Sequence, residues 1–412
     1  MGPLLAILRP DRGRSGAGVQ GLHGLGGVRD GYRSAPQPLR GNDFSGFKEP
    51  CSTRCAIERT AFRGSSSQQE EQAMRRALSI FLATAFILGT PAAQAEETKL
   101  EEFGTDLERF PYPWKVERME LKVGAESASM AYMDVQPDQP NGQAVVLLHG
   151  KNFCGATWED TARTLLGAGY RVLIPDQLGF CKSSKPASAQ YSFAMMADAT
   201  HRLMEKVGLE KAIILGHSTG GMLGLRFALM YPGAVQRLVL VNPLGLVDRM
   251  EEGVPYVPLD KLLAAEKAKG YAEMRQYQLD TYYHGEWKPA YDRWVAMLAG
   301  QYATPDNDAA ELAQAKTAEM ILTQPVSHEF GRLAVPVTLM IGMKDTTVFG
   351  KGQAPAEVRA KLKPIPAIAP QAAAAMPSAR IVELPDFGHS PQVEAPEVFG
   401  AKLLDVLSAP AP

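Results

Sequence analysis

The string Gly216-His217-Ser218-Thr219-Gly220 follows an apolar run at residues 212–215 (AIIL) and precedes a helical pattern. A serine between glycines at a strand-to-helix junction sits on a turn too sharp for neighbouring Cβ atoms, with its hydroxyl exposed. The amino end of the following helix then faces any oxyanion formed at that hydroxyl, so the setting suits nucleophilic attack on a carbonyl. The competing reading is a glycine turn with a helix-capping serine; a strand on one side and a helix on the other favour the nucleophile.

A serine hydroxyl is a weak nucleophile at neutral pH, so a histidine must take its proton and an acid must orient that histidine. The sequence offers seven histidines. His389, in Asp386-Phe387-Gly388-His389-Ser390-Pro391, lies in a loop after the last apolar strand and before the final helical stretch, where a base can swing over the serine. His149 and His217 belong to the first loop and to the elbow, where structural roles are expected. His201 falls on a helix, His284 and His328 in an insertion, and His23 near the start of the chain. The acid should follow a core strand that precedes the histidine, and Asp345 comes just after the run at 337–341 (VTLMI). Asp386 is nearer in sequence but has little reach for a side-by-side bond within one loop. The transition state also needs two N–H donors. One is the backbone of Thr219; the other comes from His149-Gly150-Lys151-Asn152-Phe153, with Lys151 the first choice and Asn152 the reserve. Gly150 allows the backbone there to come close to a ligand.

The elements that must position these groups are legible. Apolar runs rich in β-branched residues fall at 144–148, 170–174, 212–215, 238–241, 337–341 and 379–384, and they alternate with helical patterns at 158–168, 193–207, 220–231 and 397–407. This alternation predicts a mostly parallel sheet flanked by helices. Residues 115–123 and 127–134 read as an antiparallel hairpin that opens the sheet. Between 243 and 333 the strand rhythm gives way to a helix-favouring stretch, read as a helical cap inserted before the strand that carries the acid. Such an insertion lies over the crevice at the carboxyl ends of the strands. A second insertion, 355–376, reads as a short helix and a loop. The expected organisation is thus a core at 96–242, the cap at 243–333 and the rest of the core at 334–412.

HGKNF, DQLGFCKSS, GHSTGG, GMKD and FGHSPQVEAPE, in that order, resemble the oxyanion loop, the loop after the next strand, the elbow, the acid turn and the histidine loop of the α/β-hydrolase superfamily. The resemblance covers about residues 111–407 and is nearest to the capped group of esterases, proline iminopeptidase-like peptidases and carbon-carbon bond hydrolases. It implies the α/β-hydrolase fold. Haloalkane dehalogenases and soluble epoxide hydrolases look similar, but their elbow carries a carboxylate nucleophile, and Ser218 argues against both. Specificity is expected from the cap, where Tyr277, Tyr282, Tyr283, Trp287, Tyr291 and Trp294 crowd together. Phe153, His217, Tyr282, Tyr283 and Trp287 are the candidate pocket residues, either as an aromatic wall for an apolar acyl group or as rings that pack the cap onto the core. Cys154 and Cys181 fall in neighbouring loops at the carboxyl edge of the sheet. In an oxidising compartment a disulfide between them would brace the oxyanion loop; two free thiols are the alternative.

Composition narrows the partners. With 45% hydrophobic and 21% charged residues and a formal charge of -2, the chain is an ordinary globular protein without an overall basic field for nucleic acid. No metal-ligand or phosphate-loop spacing occurs, so neither metal nor cofactor is expected. Residues 1–73 are glycine-rich without apolar periodicity and read as disordered. Met74-Arg75-Arg76, an apolar stretch at 77–89 and Ala93-Gln94-Ala95 together read as a cleavable signal peptide at 74–95. Met74 is then the expected start of translation, Glu96 the mature amino terminus, and the mature protein a periplasmic or secreted one without a stable membrane span. The expectation is a cofactor-independent serine hydrolase acting on a small-molecule ester through an acyl-enzyme. The alternatives are a terminal peptidase or amidase, with Glu251, Glu252 and Asp260 as candidates to hold a free amino terminus, a carbon-carbon bond hydrolase, and a non-catalytic ligand-binding protein of the same shape.

Overall fold

Two extended stretches open the sheet: β1 (Glu117–Val123) alternates buried and exposed residues, and β2 (Glu126–Val135) pairs with it antiparallel around the turn at Gly124. The computed structural model describes residues 100–412. The glycine-rich segment at 1–73, the segment at 74–95 read above as a signal peptide and the expected amino terminus at Glu96 lie outside the described residues.

The chain then runs β3 (Ala144–Leu148), α1 (Glu159–Gly167), β4 (Arg171–Pro175), α2 (Phe193–Lys206), β5 (Ala212–His217), α3 (Thr219–Met230) and β6 (Val235–Val241). After the insertion come β7 (Val337–Gly342) and, further on, β8 (Ala379–Leu384). The strand order is β1-β2-β4-β3-β5-β6-β7-β8; β2 meets β4 antiparallel, and every pairing from β4 to β8 is parallel. From β3 the chain turns to β4 on one side and then crosses to β5 on the other. The loops after β3 and β5 therefore lie side by side at a topological switch point, where open α/β sheets bind ligands.

Every residue of β3, β5 and β7 is buried, as expected of parallel strands covered on both faces. Alternation divides them between two cores. Val146, Leu148 and Ile214 face Phe193, Leu203 and Phe227 of α2 and α3, whereas Val145, Leu147 and Ile213 face Trp158 and Leu165 on the side of α1. Each of these large side chains contributes roughly 1.5–3 kcal/mol on burial. Ser192 starts α2 by accepting the backbone N–H of Met195 at 3.0 Å.

The insertion holds four helices, α4 (Leu259–Lys267), α5 (Tyr271–Thr281), α6 (Asp292–Tyr302) and α7 (Asp308–Thr323). Its aromatic crowd packs mainly on itself. Tyr283 stacks on Tyr291 with ring centroids 3.8 Å apart, Trp287 stands edge-on to both, and the Arg275 guanidinium lies 4.2 Å above Trp287. The second insertion forms two helices, α8 (Ala356–Arg359) and α9 (Ile365–Ala374), where one had been expected. Alanines favour α9, and Pro366 stands in its first turn, where a missing N–H costs little. The final elements are α10 (Pro391–Glu394) and α11 (Pro396–Ser408), the latter packed on α1. One feature has no clear sequence signal: the stretch ahead of β1 docks on the cap, with the Phe103 N–H bonded to the Gly300 carbonyl at 3.1 Å and Leu107 fully buried. Among the described residues no helix is long and apolar enough to cross a membrane.

Candidate active site

Ser218 stands between β5 and α3 with φ 54° and ψ -118°, a conformation that non-glycine residues rarely adopt. Its N–H donates to the Val241 carbonyl at 3.0 Å, and its own carbonyl accepts from Leu244 at 3.0 Å as well as from Gly221 and Met222 of α3 at 2.9 and 3.2 Å. The end of β6 thus fixes the elbow from one side. The loop after β3 closes in from the other, and a Cβ added to Gly150 would lie 2.9 Å from His217 Nδ1 and 3.1 Å from Ser218 Cβ. Only glycine fits. That loop turns through a bond from Phe153 N–H to the Gly150 carbonyl at 3.1 Å, with Lys151 and Asn152 at its tip. Thr219 is the first residue of α3, so its N–H has no carbonyl one turn back to bond.

The histidine loop follows β8. His389 Nδ1 lies 2.8 Å from Asp345 Oδ2, and both side chains are fully buried. The Asp345 carboxylate is oriented further by the Thr347 N–H, which donates to Oδ1 at 2.7 Å. A carboxylate only accepts, so Nδ1 carries the proton and Nε2 is left with a lone pair. Among the described residues Nε2 has no hydrogen-bond partner. His217 Nε2 donates to the His389 carbonyl at 2.9 Å, and the two rings lie 4.9 Å apart, which brings the elbow against the histidine loop. Burial first, then the neighbouring His389, pushes the His217 pKa well below its ordinary value, so that ring is neutral. His149 is structural: its Nε2 accepts the Gln177 N–H at 3.0 Å and its Nδ1 donates to the Gly150 carbonyl at 2.9 Å.

Sequence reasoning missed three groups that hold this arrangement. Asn242, just after β6, is fully buried; its Nδ2 donates to the Gly388 and His389 carbonyls at 2.9 Å each, and its Oδ1 accepts the Gly342 N–H at 2.8 Å. It ties the acid turn to the histidine loop. Glu394 accepts the N–H groups on either side of the histidine, Gly388 at 3.0 Å and Ser390 at 3.2 Å, and His284 Nε2 lies 3.3 Å away. Burial pushes its carboxyl up to about 7, against the lowering by those N–H donors and by His389. The third is the Tyr282 carbonyl, which accepts the His389 N–H at 2.8 Å. Glu394 lies within FGHSPQVEAPE, so its presence was visible although its role was not; Asn242 carried only the hint of a polar residue ending a buried strand.

The expected pocket residues divide. Phe153 and His217 pack together with ring centroids 5.7 Å apart, and Tyr282 lies 5.6 Å from Phe153 and 4.9 Å from His389. The Tyr282 hydroxyl accepts from Asn152 Nδ2 at 2.8 Å. Tyr283 and Trp287 instead belong to the cap's own aromatic stack. A cavity of about 370 Å³ lies between cap and core, lined by Lys151, Asn152, Glu266, Met274, Tyr277 and Gln278 among others, and none of the five expected pocket residues lines it. Their rings are spent on packing against one another. Glu251, Glu252 and Asp260 are exposed and stand outside that cavity. The expected disulfide is not formed: Cys154 and Cys181 are buried free thiols within 4.8 Å of each other. Cys154 Sγ is turned to Met297 Sδ at 3.1 Å, and Cys181 Sγ lies 3.4 Å from the Phe153 carbonyl. Asp176 beside them has its oxygens taken by the Gly155 and Lys182 N–H groups and the Tyr112 hydroxyl, a structural use.

Residues 143–396 match the family model described as alpha/beta hydrolase fold. A crystal structure of a probable hydrolytic enzyme from Pseudomonas aeruginosa PAO1 is 47% identical, with a TM-score of 0.74, over 75% of this chain and 99% of that one. A 2-hydroxy-6-oxo-6-phenylhexa-2,4-dienoate hydrolase from Burkholderia cepacia is 36% identical over 112 residues, 26% of this chain and 39% of that enzyme. A putative carbamate hydrolase, RutD, from Shigella flexneri is 26% identical over 66% of this chain and 94% of its own length.

Proposed function

The chain belongs to the α/β-hydrolase family, and from that premise we propose that it is an exported serine hydrolase that cleaves a small or medium carboxylic ester through an acyl-enzyme. In this reading His389 Nε2 takes the Ser218 proton as the oxygen attacks the ester carbonyl, and returns it to the departing alcohol. Asp345 keeps the imidazole in the tautomer that leaves Nε2 free, and stabilises the imidazolium that forms. The Thr219 and Lys151 N–H groups, with Asn152 beside them, receive the oxyanion; each such donor is worth roughly 3 kcal/mol of barrier. Water, deprotonated by the same histidine, then attacks the acyl carbonyl, and Ser218 leaves with its proton restored.

One observation carries the reading: a buried imidazole bound through Nδ1 to a carboxylate at 2.8 Å, with its other nitrogen unengaged. Fluorophosphonate should give a single adduct on the wild-type chain, absent in Ser218→Ala and His389→Ala, with kcat on a responsive ester down about 10,000-fold or more in either variant. Folded wild-type protein that takes no label would sink the reading and bring the ligand-binding alternative forward. The Burkholderia cepacia relative supports carbon-carbon bond hydrolysis as the second reading, to be separated by comparing esters with vinylogous diketones. Export rests on the segment at 74–95; amino-terminal sequencing of protein from its own cell should return Glu96, and any residue from before Met74 would overturn the assigned start.

A further inference from the structure

The charged lining of the cavity between cap and core is unbalanced. Glu266 on α4 is buried and receives two ammonium groups, Lys151 at 2.8 Å on Oε1 and Lys269 at 2.6 Å on Oε2, together with the Tyr302 hydroxyl at 3.1 Å. Two cations therefore share one anion. Donor accounting points the same way, because the carboxylate already accepts three bonds while each ammonium, with three N–H donors, gives one of them to Glu266. Burial pulls Lys151 down to about 8 against the attraction of Glu266, and the two lysines hold Glu266 at about 2 although burial works to raise it. The buried Lys151 ammonium thus stands beside a second, exposed cation, Lys269, with Glu266 shared between them.

Two further observations turn this imbalance toward a ligand. Gln278 lines the same cavity at 1% exposure, and its Nε2 has no hydrogen-bond partner among the described residues. Lys351 lines it as well, and Glu273, the second acid of the lining, accepts the Gly270 N–H at 3.0 Å at the start of α5, so three lysines face two carboxylates. Around these polar groups stand Leu262, Met274, Leu298 and Phe349, a surface for hydrocarbon. The cavity of about 370 Å³ falls in the range of small-molecule sites, and Lys151 belongs both to its wall and to the proposed oxyanion loop.

We propose that this cavity selects an ester bearing a second, free carboxylate, which Lys151 and Lys269 bind and Gln278 assists, with the apolar wall holding the carbon chain between carboxylate and scissile carbonyl. The proposal rests on the serine-hydrolase reading and deepens it to a substrate class. A neutral ester offers the buried Lys151 and its neighbour Lys269 no charged acceptor, whereas a carboxylate accepts from both and cancels the excess charge.

The test compares matched esters on the full chain. 4-Nitrophenyl hydrogen glutarate carries its carboxylate on the acyl side, 4-(butyryloxy)benzoate on the leaving side, and 4-nitrophenyl butyrate and phenyl butyrate are their neutral partners. At least one charged ester should exceed its partner about 10-fold in kcat/KM, mainly through KM, and which one does so tells where the carboxylate sits. Lys269→Met should reduce that preference to about 2-fold or less and Lys269→Arg should restore it, while Lys402→Met, an exposed charge on α11, should leave it intact. Equal or better turnover of the neutral partners, or a preference that survives Lys269→Met, overturns the proposal. Calorimetric titration with glutarate and with glutaramide separates its failure from that of the serine reading. Glutarate binding lost in Lys269→Met, on protein that neither labels nor turns over esters, upholds the anion site and rejects the serine chemistry. Labelled protein that binds neither, or both alike, does the reverse.

Discussion

Glu394 shows how a single buried carboxylate can hold the loop on either side of a histidine. It is joined by N–H bonds to both neighbours of His389 and is faced by His284 from the cap and by His389 and Asp345 from the core. Its folded pKa is about 7, above the ordinary 4.5, so the sign of its contribution is fixed. Below 4.5 the group is protonated in both states. Between 4.5 and about 7 the folded protein holds a proton that the unfolded chain has lost, and stability from this group falls as the pH rises, by at most roughly 3 kcal/mol once fully ionised. Glu394→Gln removes the titration and changes the hydrogen bonds by an amount independent of pH. The melting temperature of the variant, relative to wild type, should therefore rise between pH 5 and pH 8. A constant difference across that range would show that Glu394 titrates normally and that its loop is held by other groups.

At the scale of the elements, legibility followed local signal. The strands at 144–148, 212–215 and 337–341 were visible because residues buried on both faces give unbroken apolar runs, and the elbow was visible because its glycines are demanded by contact. A Cβ on Gly220 would lie 2.1 Å from the Leu148 carbonyl oxygen, where α3 passes the end of β3; Gly233 has open space around it. Gly220→Ala should cost about 3 kcal/mol or more, or prevent folding, by forcing α3 off the sheet, whereas Gly233→Ala should stay within roughly 0.5 kcal/mol of wild type. Urea midpoints would decide, and equal midpoints would mean that the elbow is looser than its contacts require. The strained turn at Ser218 and the His389–Asp345 pair were legible because each of these residues follows a strand in a recognisable context. Asn242 and the Tyr282 carbonyl were not, because one is a lone polar residue and the other a main-chain group, and both gain their partners only when distant loops meet. The cavity between cap and core was not legible for a related reason: most of the aromatic residues crowded in sequence stack on one another, and the lysines, glutamates and glutamines that line the cavity beside Tyr277 meet in a way no local pattern announces.

For the whole molecule, the relation between cap and core sets how substrate arrives. Ser218 is 5% exposed and His389 fully buried, and the Tyr282 ring lies 4.9 Å from the histidine ring, which leaves little room for a bulky group beside them. The cap is tied to the loop after β3 by the Asn152–Tyr282 hydrogen bond and by the Lys151–Glu266 pair, at 2.8 Å each. Both ties end on the cap, one at α4 and one just after α5, so a cap that lifts as one body would break both. On the proposed serine chemistry, a bulky reagent would then need the cap to open before it acylates Ser218, as in enzymes whose lids gate access to the chemistry. Labelling by fluorophosphonate should consequently reach a plateau with increasing probe, the plateau being the opening rate. Tyr282→Ala removes one tie and the ring above His389, and should raise that plateau about 10-fold. Stopped labelling at a series of probe concentrations measures it directly. A rate that stays proportional to probe throughout, unchanged by Tyr282→Ala, would mean that the elbow is open in solution and that cap closure follows binding instead of limiting it.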